Sequence, residues 1–172
     1  MVVKRKFFFA WHEDKEIEYL NRMSEQGLQL VKYNLFKYTF EEREERNFYQ
    51  FDFRTFDNVS DEEYLQLYED GGMDFVCKYG GWYIFSSKDE EVKKIYNDNA
   101  SLRERYKRIL LFLALTGFPL YYQVLILYPS LTLESKIYSV VRIILTVLLP
   151  IHLFVVVRFL AMYRKTFNKI SE

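Results

Sequence analysis

Twenty consecutive residues without a charge, Ile109–Tyr128 (ILLFLALTGFPLYYQVLILY), set the strongest limit on what this 172-residue chain can become. At about 1.5 Å of rise per residue a helix of that length spans about 30 Å, the thickness of a bilayer's hydrocarbon core. A soluble helix so long carries a polar stripe. Here the polar breaks are Thr116, Gln123 and the tyrosines 121, 122 and 128, which gather toward one end as an interfacial belt does. The run predicts a transmembrane helix over 109–128.

A second apolar run, Ile137–Tyr163, is interrupted by Arg142, His152 and Arg158. Its uncharged centre, Ile143–Val157, would make only about 22 Å of helix. The two flanking arginines can snorkel to opposite interfaces, which restores an ordinary span over about 138–160. An interfacial or re-entrant segment is the alternative. Pro129–Lys136 reads as a short polar turn, so the two runs form an antiparallel hairpin over 109–163, followed by a basic tail at 164–172.

The formal net charge of zero hides a division. Residues 1–100 carry 14 basic and 21 acidic side chains, whereas residues 101–172 carry 10 basic and 3 acidic ones. Such asymmetry points to two unlike parts. Arg103, Arg105, Lys107 and Arg108 precede the first span, and Arg164, Lys165 and Lys169 follow the second. The positive-inside rule therefore predicts a two-span cell-membrane protein with both termini in the cytoplasm. The apolar run Phe7–Trp11 is too short for a signal peptide, and the single cysteine, Cys77, agrees with a reducing compartment.

Residues 1–88 read as a small cytosolic α+β domain, and residues 89–108 as a helical connector. Val2–Trp11 reads as a strand. Glu13–Gln26 reads as a helix with Ile17, Leu20 and Met23 on one face, stopped by Gly27. Leu28–Glu41 and Asn47–Phe56 alternate as strands and suggest a hairpin with one wet face, on which Gln50, Asp52 and Arg54 would lie. Ser60-Asp61-Glu62-Glu63 is a capping-box pattern before a second helix that ends at Gly71-Gly72. Met73–Lys78 and Trp82–Ser86 flank a tight turn at Gly80-Gly81. The first six elements suggest a ferredoxin-like β-α-β-β-α-β arrangement with one added hairpin strand. Asp89–Asn99 suggests a helical extension, and Ser101-Leu102-Arg103-Glu104 a second capping box leading without a break into the first span. No internal repeat is visible.

The strings FFFAW-HED-KEIEYLNRMSEQGLQL, YTFEE, NFYQFDFRTF and EEYLQLYEDGG, followed by IYNDNASLRERYKRI, resemble the bacterial family called domain of unknown function 2812. The resemblance covers about residues 5–110, with Trp11, Glu13, Leu20, Met23, Gly27 and Leu30 as its pattern. It implies a bacterial membrane protein and supplies no catalytic residues. The family's glycine-tryptophan before the fourth strand is Gly72-Met73 here.

No spacing of residues carries catalytic chemistry. Trp11-His12-Glu13-Asp14 reads as a strand-to-helix corner rather than an acid–base cluster. One cysteine and two distant histidines leave a zinc site without ligands, so no metal or cofactor is expected. Cys77 reads as a strand residue rather than a nucleophile, and the paired glycines fit no phosphate loop. The acidic clusters 41–45 and 61–63 read as a solvated turn and a capped helix start rather than a site for a basic partner. The abundant aromatics suggest a sheet core, because an acidic domain would repel nucleic acid. Arg103, Arg105, Lys107 and Arg108 are candidate contacts to anionic headgroups. Thr116, Gln123 and His152 are the polar candidates within the membrane, with a Thr116–His152 hydrogen bond as the structural reading of the histidine.

These features predict a non-enzymatic, membrane-anchored interaction or sensory module. Its partners would be the lipid bilayer and a protein or a second copy. A subunit of an oligomeric transporter or channel is the alternative.

Overall fold

The computed structural model describes residues 1–55, 60–90, 92, 99–130 and 136–168. The chain divides into two units, Met1–Asn97 and Asp98–Glu172.

The first unit is α+β. Its elements run β1 (Val2–Arg5), α1 (Glu13–Glu25), β2 (Leu28–Asn34), β3 (Lys37–Glu42), β4 (Phe48–Phe53), α2 (Asp61–Asp70), β5 (Asp74–Tyr79) and β6 (Trp82–Ser87). The strands form two three-stranded antiparallel sheets, ordered β1-β3-β2 and β4-β6-β5. The expected order of six ferredoxin-like elements plus one strand differs from this in two ways. Leu28–Glu41 is not one strand; it reverses at Leu35-Phe36 into the hairpin β2–β3. And β4 pairs with β6, not with the strand before it. The reversal has no sequence signal because its left-handed residue is Phe36, at φ 63, where glycine or asparagine is usual.

The sheet order exposes a duplication. β1-α1-β2-β3 and β4-α2-β5-β6 have the same element order, and in each the third strand lies between the first two. Equivalent residues lie 45 positions apart. Both helices stop at a left-handed glycine, Gly27 at φ 75 and Gly72 at φ 81. The amides of these glycines donate to Ser24 and Glu69, each at 2.9 Å, as helix C-terminal turns require. The register slips between Leu30 and Lys32 in one hairpin and between Phe75 and Cys77 in the other. Tyr19 and Tyr64, Tyr38 and Tyr83, and Phe40 and Phe85 are buried pairs at the same spacing. The repeat escapes notice in the sequence because it survives in burial and backbone geometry more than in residue identity.

The main core is shared by the two halves. Tyr19, Leu20 and Met23 of α1 pack with Leu30, Tyr38 and Phe40 of the first sheet and with Tyr49, Phe51 and Ile84 of the second. Polar bonds tie the same seam. Asn21 accepts from the Tyr49 amide at 2.9 Å, and the Tyr49 hydroxyl accepts from the Leu30 amide at 2.8 Å while donating to Gln29 at 2.9 Å. A smaller cluster, Tyr64, Met73, Tyr83 and Phe85, fills the space under α2. Ser60 caps α2 as expected, its hydroxyl accepting from the Glu63 amide at 3.1 Å. The face of β4 expected to be wet is covered, since Asp52 and Arg54 are buried.

The second unit is a helical hairpin. α3 (Asn99–Tyr122) passes through a π-helical turn (Gln123–Leu127) into α4 (Tyr128–Ser130), and α5 (Lys136–Asn168) returns. Arg103 meets Tyr163, Tyr106 meets Phe159 and Tyr128 meets Tyr138, so the two rods run antiparallel. Ser101 lies inside α3 rather than capping it. The expected extension over 89–99 and the turn over 129–136 fall largely outside the described residues, as does the end of the basic tail.

Leu20 is fully buried where the two sheets share their core. Leu20→Ala should cost about 3 kcal/mol. Thermal unfolding of the full chain in detergent, followed by near-ultraviolet circular dichroism, should show one lowered transition for the aromatic signal of both halves.

Candidate functional site

The duplication places an acid–tyrosine pair at equivalent positions in the two halves, and the pairs have diverged. On α1, Glu16 is buried and accepts from the Tyr38 hydroxyl at 2.6 Å. Burial holds its carboxyl above the ordinary value; the Tyr38 hydrogen bond opposes this and the nearby Glu13 charge adds to it. Burial and the Glu16 bond in turn push the Tyr38 phenol far up. The Tyr33 ring stands 4.8 Å from that of Tyr38. In the second half, 45 positions on, Asp61 accepts from Tyr83 at 2.9 Å, but it also meets Lys78 at 2.6 Å and Arg54 at 3.1 Å. Bonds from Lys78 and Tyr83 hold its carboxyl below the ordinary value. Lys78 occupies the position equivalent to Tyr33. Two exchanges, Tyr33 for Lys78 and Phe9 for Arg54, thus separate a buried acid that makes no ion pair among the described residues from an exposed, neutralised one.

Other candidates in this unit are structural. Asp52 is buried and accepts from Tyr64 at 2.7 Å and Tyr68 at 3.1 Å. Burial pushes the Cys77 thiol up to about 11, which disfavours the thiolate. His12 ends the turn before α1, where its carbonyl accepts from the Lys15 and Glu16 amides at 3.1 and 3.2 Å. Among the described residues, no three His, Cys, Asp or Glu side chains gather as a metal site.

In the hairpin, the structure joins His152 to the opposite helix through partners other than the one expected. His152 Nε2 lies 3.1 Å from the Leu113 carbonyl oxygen, and Nδ1 lies 3.2 Å from the Tyr121 hydroxyl. A carbonyl only accepts, so Nε2 carries the proton, and in the neutral ring Nδ1 accepts from Tyr121. Thr116 is not the partner; its hydroxyl donates along its own helix to Phe112 at 2.8 Å. Gly117 makes room for the ring, because a Cβ there would fall within 2.9 Å of His152 Nε2. Gln123 lies in the π-helical turn, half-buried.

Residues 12–118 match the family described as Protein of unknown function (DUF2812). The chain belongs to this family. No curated protein and no solved structure matches it. The DUF2812 match contains both acid–tyrosine pairs and the first rod as far as Phe118; it leaves out β1, Phe7, Phe9, Tyr121 and His152.

The four basic residues ahead of the first apolar stretch are not equivalent. Arg103 donates to the Tyr163 hydroxyl at 3.0 Å and lies over its ring; Arg105 is buried; Lys107 pairs with Glu104 at 2.5 Å; Arg108 is half-buried. The first unit also carries a ladder of rings, exposed Phe36, Phe7 and Phe9 and half-buried Trp11. Its signal was present in the string FFFAW, which alternation assigned wholly to a strand.

Two tests follow from this geometry. Because burial raises the folded-state pKa of Glu16, its contribution to stability is complete below the ordinary value of 4.5 and is lost as pH rises through the folded value. Glu16→Gln keeps an acceptor for Tyr38 and removes the buried charge. The variant should melt higher than the parent near pH 7, with the gap closing below about pH 4. In the hairpin, Gly117→Ala should displace the His152 ring and weaken helix–helix association by about 1 kcal/mol. The same substitution made in His152→Ala should cost much less, a non-additivity that a double-mutant cycle of thermal stability in detergent would measure.

Proposed function

We propose that this DUF2812 protein is a membrane-anchored, non-enzymatic interaction module. In this reading the α+β unit lies in the cytoplasm and engages a protein or small ligand, while the helical hairpin holds it at the cell membrane. One observation carries the reading. Two helical stretches, Ser101–Ser130 and Lys136–Thr166, are long and apolar enough to cross a bilayer, and only 11% and 0% of their most apolar windows are buried within the chain. The core helix of a soluble protein of that composition would be mostly covered. Exposed Leu115, Phe118, Ile126, Ile144, Val147 and Phe154 instead present an apolar surface to the surroundings. Lipid is the solvent suited to such a surface, and helices satisfy their backbone polar groups internally. The basic residues before α3's apolar stretch and near the end of α5 then favour cytoplasmic termini.

The pairing of His152 with Leu113 and Tyr121 supports an anchor over the alternative of a transporter or channel subunit. A side chain whose two ring nitrogens are both engaged within its own hairpin needs no pathway to explain it.

The test is topological. The protein should stay in the membrane pellet after alkaline extraction. A fluorescent protein fused at either terminus should fluoresce in cells, and alkaline phosphatase inserted after Ser130 should be active. Release by alkali would overturn the anchored reading, and an inactive phosphatase would overturn the two-span topology. Affinity capture from solubilised membranes should recover a stoichiometric partner or ligand; repeated recovery of the protein alone would remove the interaction role.

A further inference from the structure

We propose that the exposed ring ladder at the end of the first sheet is a second, peripheral contact with the bilayer, selective for anionic lipid. The proposal rests on the anchored reading above and deepens it. Two separate segments build the ladder. Phe7, Phe9 and Trp11 come from the chain leaving β1, and Phe36 comes from the β2–β3 turn; the Lys6 amide donates to the Phe36 carbonyl at 2.9 Å and ties the segments together. The rings are contiguous, with centroids 5.0 Å apart for Phe36–Phe7, 4.6 Å for Phe7–Phe9 and 4.7 Å for the stacked pair Phe9–Trp11. Phe7, Phe9 and Phe36 are 54%, 45% and 42% exposed. Single exposed apolar residues are ordinary, whereas a connected row of large rings marks a contact surface.

The fold does not require this row. At the equivalent turn of the second half the chain uses Gly80-Gly81, where the left-handed residue is Gly80 at φ 58, one position earlier in the turn than Phe36, whose own counterpart is Gly81. The first half instead holds Phe36 at φ 63, where a bulky side chain is strained. The stretch equivalent to Phe7–Phe9, Asp52–Arg54, is buried in the second half. Backbone strain kept in order to display an aromatic side chain points to a function for the display.

Charge identifies the occupant. Arg5 and Lys37 stand directly opposite each other in the β1–β3 register, so they share one face of the sheet beside the ladder. Like charges so placed repel, and neither makes an ion pair among the described residues. Residues 1–100 are acidic as a whole, so this basic corner runs against its background. A second copy docking patch to patch would bring Arg5 and Lys37 against their own counterparts. An anionic lipid surface removes the repulsion, accepts Trp and Phe at headgroup depth, and is kept at high local concentration by a hairpin anchor.

Trp11 and Trp82 are the chain's two tryptophans, so neither lies in the hairpin. The full-length Trp82→Phe protein, reconstituted into phosphatidylcholine vesicles with and without phosphatidylglycerol, therefore reports Trp11 alone. Brominated acyl chains should quench Trp11 strongly in the anionic vesicles and weakly in the neutral ones, and raised salt should remove the difference. Neutralising each of Arg5 and Lys37 with glutamine should weaken the association by about fivefold per residue. The companion Trp11→Phe protein should show Trp82, packed against Phe53, unquenched throughout. Equal quenching of Trp11 with and without anionic lipid would overturn the selectivity. No quenching in either vesicle, with the protein still resistant to alkaline extraction, would overturn the contact while leaving the anchor intact. A Trp11 blue shift that depends on protein density and not on bromine would assign the patch to self-association and overturn the proposal. A chain that fails to enter the vesicles would bring down the anchor and this contact together.

Discussion

A three-stranded sheet with one helix covers too little apolar surface to stand alone. The two β-α-β-β halves meet this constraint by closing a shared main core, in which Leu20, Tyr38, Phe40 and Ile84 are fully buried, beside the smaller cluster under α2. Most of what else the first unit does follows from that sharing. α1 has to reach across to β4, so Asn21 and Ser24 meet backbone amides there. β2 has to run beside β5, so Tyr33 lies against Tyr79 and the Cys77 thiol is shielded from water. The abundance of aromatic residues is the economical way to fill a core under two small sheets, since each ring covers a large area with few rotatable bonds.

Duplication supplies an internal control that single-copy folds lack. Where the halves agree, as in the glycine helix stops, the register slips and the buried tyrosines, the residues answer to the architecture. Where they differ, something else has selected the side chain. Tyr33 against Lys78 changes the ionisation of the neighbouring acid, and Leu35-Phe36 against Gly80-Gly81 changes what the hairpin tip shows to its surroundings. These differences separate functional candidates from packing more sharply than burial alone.

Much of this was legible in the sequence where the signal is local. The helix Glu13–Glu25, the Ser60 cap, the glycine stops and the two apolar rods follow from periodicity, capping chemistry and length. The failures share a cause, which is that the deciding interaction lies elsewhere in the chain or in backbone geometry. Phe36 in a left-handed turn carries no turn signature, so β2 and β3 read as one strand. The pairing of β4 with β6 depends on a partner some thirty residues away. Position along the two apolar runs pairs Thr116 with His152, yet the Thr116 hydroxyl is satisfied one turn back on its own helix, and Tyr121 stands in its place.

The π-helical turn after Pro119 governs the phase of the first rod. Proline removes the amide that Leu115's carbonyl would have met, and the wider turn that follows lets the backbone regain its bonds with one extra residue in the coil. An extra residue rotates everything beyond it by about 100°. Tyr128 is thereby steered onto Tyr138 of the returning rod, their rings 5.2 Å apart. The hairpin is therefore keyed at its closed end as well as at His152, and a single-residue deletion between Gln123 and Leu127 would act less like a shortening than like a twist, turning the tyrosine away from its mate while leaving the length of the rod almost unchanged.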